Sequence, residues 1–139
     1  MSPSNDKAER YIRDQGQWVA LPINLMLILN PRDMCVLSCI RHCLCANVKH
    51  ISNSVLSEMT GYAESTINLS KVSLSSMGLV NIQSSGNGAL KYGAIITINY
   101  GLLCDIVHSL NNEKDPKARL DLADNIKSQL KNNKTLDII

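Results

Sequence analysis

Two glycines, Gly61 and Gly78, bracket a stretch with room for one helix, and an alternating apolar run, Leu79-Val80-Asn81-Ile82-Gln83, follows at once. That punctuation constrains the fold more than any other feature of the chain. Upstream, Ser52 is placed to cap a short helix from Asn53 to Thr60, with Ile51 as the apolar residue before the cap. Gly61 ends that helix, because glycine adopts the left-handed backbone a helix exit needs. A longer helix is predicted from about Ala63 to Met77, with Gly78 as its stop. Ile67, Ser70, Leu74 and Met77 then share one inward face, and Leu56 and Met59 meet them from the shorter helix. Two helices joined by so short a turn cross at a steep angle.

The rest of the chain reads around this pair. Leu79 to Gln83 alternates like a strand, Ser84-Ser85-Gly86-Asn87-Gly88 is a turn cluster, and Leu90 to Tyr100 is rich in Ile, Thr and Tyr, so the three make a two-stranded hairpin. Before the pair, Asn30-Pro31 marks a helix start, since asparagine caps and proline fits the first helical position. That helix is expected from about Arg32 to Ala46. Its inner stripe is Leu37, Ile40 and Leu44, widened by Cys35, Cys39 and Cys43 and by Met34 and Val36. A helix apolar over most of its circumference is covered on more than one side. After the hairpin a short helix is expected from Leu102 to Leu110, and Asp115-Pro116 starts another that runs to about Asn132 with the narrow stripe Leu122, Ala123, Ile126 and Leu130. Trp18 to Leu21 reads as a short strand.

The chain has 139 residues, enough for one core, and it contains no Phe, so that core is built from Leu, Ile, Val, Met and Cys. The expected division is a flexible arm over 1–17, a domain over 18–110, and a helix over 111–139 that packs on the domain or forms a homodimer. Met1 to Arg13 is polar and charged, unlike a secretory signal, and Leu25 to Leu29 is far shorter than the about 20 apolar residues a membrane span needs. Five cysteines, three of them spaced four apart on one helix, suit reduced thiols in a cytoplasmic protein better than disulfides.

The stretch Leu56-x-x-Met59-Thr60-Gly61-Tyr62-x-x-Ser65-Thr66-Ile67, followed by Leu74-x-x-Met77-Gly78-Leu79-Val80, resembles the winged helix-turn-helix superfamily. Leu21-Pro22 ahead of Asn30-Pro31-Arg32-Asp33 is similar to the N-terminal domains of phage and plasmid replication initiators, and small transcription regulators share most of the pattern. The resemblance covers about residues 18–100. It implies a mainly α fold with a small β-hairpin wing and extra C-terminal helices. It also implies duplex DNA binding in transcription regulation or replication initiation, with the second helix of the pair in the major groove.

Helical phase turns Ser65, Thr66, Asn68, Leu69, Val72 and Ser73 outward, with the stem of Lys71 near the inner side. Ser65, Thr66 and Asn68 are the residue types that meet phosphates and bases. Charge is sparse: between Ile51 and Tyr100 the lysines are Lys71 and Lys91, against Glu58 and Glu64. Since Lys and Arg contacts supply most non-specific DNA affinity, further charge has to come from Lys49 and His50, from Lys91 on the wing, or from Lys7, Arg10 and Arg13 on the arm. The candidate DNA-binding set is therefore Ser65, Thr66, Asn68, Leu69, Lys71, Lys91 and Lys49. Exposed Leu69 and Val72 support the alternative, a winged-helix module for a protein partner. His42 beside Cys39, Cys43 and Cys45 has the spacing of two metal ligands on one helix, but no C-x-x-C pair accompanies it and cysteine packs well as a small apolar residue. No metal and no cofactor are expected. No phosphate loop, nucleophile elbow or paired carboxylates occur, so no enzyme is expected either.

Overall fold

The computed structural model describes residues 21–83 and 93–132. A 3-10 turn, Ile23–Leu27, leads into α1 (Pro31–Cys45), whose cap is Asn30: its side-chain oxygen accepts the Asp33 N–H at 2.7 Å. β1 (His50–Ile51) follows. The Ser52 hydroxyl then accepts the Val55 N–H at 3.1 Å and starts α2 (Asn53–Thr60). Gly61, with φ 80°, turns the chain out of α2 and into α3 (Glu64–Ser76). After Gly78 come β2 (Val80–Gln83) and β3 (Ala94–Ile98). The tail holds α4 (Tyr100–Asn112), capped by Asn99, and α5 (Pro116–Lys131), capped by Asp115.

The described residues are therefore mainly helical with a small antiparallel sheet. Its order is β1-β3-β2, with Ile51 opposite Ala94 and Val80 opposite Ile98. α1, α2 and α3 pack on one another, and Leu37, Ile40, Leu56, Ile67 and Leu74 are all fully buried among them. Leu79 and Ile96 carry that core under the sheet. α4 packs on the 3-10 turn and on α5, where Ile106, Leu110 and Ile126 are fully buried. Asn24 in the turn donates to the Asn111 side chain in α4 and ties the two together.

Several expectations change. The sheet has three strands rather than two, because His50–Ile51 is too short to show any alternation and is recruited by pairing with β3. Its approach depends on Gly93, at φ 95°: a Cβ there would lie 2.7 Å from the Ser52 Cα, so a side chain would drive β3 away from β1. β3 stops at Ile98, and Tyr100, expected to end a strand, opens α4, because Asn99 accepts the Leu102 N–H at 3.2 Å and caps a helix longer than expected. On α1 the fully buried stripe is Val36, Leu37 and Ile40, and Leu44 is only half-buried because the helix is covered on its Val36 side. Met59 is exposed near the C-terminal end of α2, with its sulfur 3.9 Å from that of Cys43. Leu21 lies outside any strand, and residues 18–20 of that expected element, with the arm and the turn cluster Ser84 to Gly88, fall outside the described residues.

Candidate nucleic-acid interface

α3 runs along the surface of the core with one side in and one side out. Ile67, Ser70 and Leu74 are completely buried, whereas Ser65, Asn68, Leu69, Val72, Ser75 and Ser76 are exposed. Two expected outward residues turn out differently. Thr66 is half-buried, and Ser73 is half-buried because its hydroxyl donates to the Asp33 carboxylate at 2.7 Å. Asp33 is itself 1% exposed and takes a second contact from Arg32 Nε at 3.2 Å. A charged side chain at the start of α1 thus fixes the rotation of α3 about its own axis.

A second set of hydrogen bonds prepares the outer face. Lys71 Nζ donates to Asn53 Oδ1 at 2.8 Å, and Asn53 Nδ2 donates to Asn68 Oδ1 at 2.7 Å. An ammonium group only donates, so Lys71 dictates which end of the Asn53 amide faces it, and Asn53 in turn dictates the orientation of Asn68. The Asn68 oxygen is turned inward to Asn53, and its Nδ2 is the end left to donate outward. Burial of the Lys71 stem pushes its pKa below the usual lysine value. Lys71 is therefore a structural clamp as much as a surface charge.

Beside the helix, an open groove of about 480 Å³ separates α3 from the sheet, walled by Asn68, Lys71, Val72, Ser75, Ser76, Ile82 and Ala94. Lys49 is exposed just before β1, on the edge of the sheet opposite β2. Lys91 lies outside the described residues, as do Lys7, Arg10 and Arg13. Of the sequence-derived set, the structure brings Ser65, Thr66, Asn68, Leu69 and Lys71 to one helix, with Thr66 half-buried, and places Lys49 on another element, just before β1. Sequence reasoning missed Asn53. Its role rests on contacts 15 and 18 residues away, and the only local signal was a polar residue at the start of α2.

Elsewhere, a cleft of about 460 Å³ lies between Leu21, Pro22, α1 and α4. Its walls are mostly apolar, and Arg41 crosses it to donate to the Tyr100 hydroxyl at 2.9 Å, with the guanidinium 5.4 Å from the ring centre. On α1, burial first and then the neighbouring Cys35 and Cys43 push the Cys39 thiol up to about 11, and burial raises Cys43 as well. These are protonated, packed thiols. Among the described residues no group of three or more His, Cys, Asp or Glu side chains is placed to hold a metal ion, and no helix is long and apolar enough to cross a membrane.

No protein-family model, curated protein or solved structure matches this chain.

Proposed function

We propose that this chain is a winged helix-turn-helix protein that binds duplex DNA, acting in the cytoplasm in transcription control or replication initiation. The observation that carries this reading is the order helix, strand, helix, helix, strand, strand, with α3 standing at the surface beside the sheet and its outer face uncovered. A helix so placed fits the major groove, and the outer residues near its start, Ser65 and Asn68, are of the types that contact phosphates and base edges. The structure also supports weak electrostatics. Lys71 is held by Asn53, and the one other charge on α3 is the exposed carboxylate of Glu64 at its start. Binding of random duplex is therefore weak, and its salt slope is shallow, because few phosphates are neutralised.

Titration of a labelled random duplex at two salt concentrations tests this. Saturable binding at low salt that weakens when salt is raised supports it. Absence of binding at low salt overturns it. The second reading, a winged-helix module for a protein partner, is favoured by the exposure of Leu69 (60%) and Val72 (64%). For that reading, Leu69→Asp leaves the fold intact and abolishes capture of a cellular protein. Both readings are of a binding protein, without catalysis or cofactor. A homodimer built on the α5 stripe is not part of the proposal, since Ala123, Ile126 and Leu130 are buried within the single chain.

A further inference from the structure

Leu69 and Val72 are the two most exposed large apolar side chains on α3, and they stand three positions apart on the face that also carries Asn68. The helix carries one carboxylate, the exposed Glu64 at its first position, and none from Ser65 to Ser76. In the major groove the one apolar group a base pair offers is the C5-methyl of thymine, and apolar side chains are what meet it. Asn68 completes the pattern. With its oxygen turned inward to Asn53, it offers a donor to the acceptors N7 of adenine or O4 of thymine; guanine N7 and O6 accept equally, so the choice of base pair falls to the methyl contacts.

We infer that α3 reads A·T pairs by their thymine methyl groups, with Leu69 and Val72 as the specificity-determining residues and Asn68 as a donor to the adjoining base edge. This rests on the duplex DNA reading and goes further, because it names the base pairs and the atoms. It also reconciles exposed apolar residues with a DNA-binding face: the affinity that few cations leave unsupplied comes from methyl burial, which salt does not screen.

The test uses three labelled duplexes of equal length: alternating A·T, the same duplex with deoxyuridine in place of every thymine, and alternating G·C. Deoxyuridine removes only the methyl group. The thymine duplex is expected to bind about tenfold more tightly than the uracil duplex, the size two buried methyl groups give. The difference is expected to survive at higher salt and to vanish in the double variant Leu69→Ala, Val72→Ala. Both side chains are exposed, so that variant folds, which circular dichroism verifies. Equal binding of the thymine and uracil duplexes by the native chain overturns methyl readout while leaving DNA binding intact. A thymine preference that persists in the double variant overturns the assignment to these two residues. Binding of none of the three at low salt overturns the DNA reading itself, and this inference with it.

Discussion

The Ser73 hydroxyl on α3 donates a 2.7 Å hydrogen bond to the Asp33 carboxylate on α1, 40 residues earlier in the chain. Hydrogen bonds to charged groups contribute about 1.5–3 kcal/mol, and a buried carboxylate that loses one is left partly unsatisfied. Ser73→Ala is therefore expected to cost about 1.5–3 kcal/mol in urea unfolding, and Asp33→Ala more, since Arg32 and Ser73 both lose their partner. The pair should be non-additive in a double-mutant cycle. Independent effects would show that the contact does not hold α3 in place.

Two substitutions one turn apart on α3 should have opposite signs. Leu74 is fully buried, so Leu74→Ala should cost about 2–5 kcal/mol through lost burial and the cavity left behind. The Ser70 hydroxyl is also buried but has no hydrogen-bond partner. Removing an orphaned hydroxyl relieves its desolvation, and alanine is the better helix former, so Ser70→Ala should hold or raise the melting temperature. A clear drop there would reveal a partner for the hydroxyl.

The thiols should separate by reactivity and by pH. Cys45 and Cys104 are exposed and should be alkylated first in the native protein. Cys39, held near 11, stays protonated at neutral pH and should react only slowly. Because its proton is held more tightly in the folded state, its contribution to stability is complete below about pH 9 and is lost as pH rises towards 11. Cys39→Ala should flatten stability across that window. Mass spectrometry of alkylated peptides and unfolding at a series of pH values check the two halves.

A chain ending at Asn112 loses the cover that Ala123, Ile126 and Leu130 provide for α4. It should bind a hydrophobic dye, melt lower and self-associate, whereas the full chain should sediment as a monomer. A truncated chain as stable as the full one would mean that α5 contributes little to the core.

Much of this architecture is local in origin and was legible for that reason. Asn30, Ser52 and Asp115 cap helices with their own side chains, and Gly61 ends one by its left-handed backbone. Leu56, Ile67 and Leu74 follow helical phase into the core. What escaped is long-range. β1 exists only because β3 pairs with it, and Asn53 matters only because Asn68 and Lys71 reach it. Helical phase alone puts Ser73 outside, and nothing near it in sequence announces the buried Asp33 carboxylate that its hydroxyl meets. At the candidate site, residue types and the exposure of Leu69 and Val72 were readable, but the orientation of the Asn68 amide was not.

The tight approach at Gly93 has a mechanical consequence. Gly93, the residue just before β3, leaves no room for a side chain beside the cap of α2, and the residue after that cap, Asn53, grips both Asn68 and Lys71. A side chain at position 93 would therefore be felt twice, at the pairing of β3 with β1 and at the start of α2, one residue from the amide that holds Asn68.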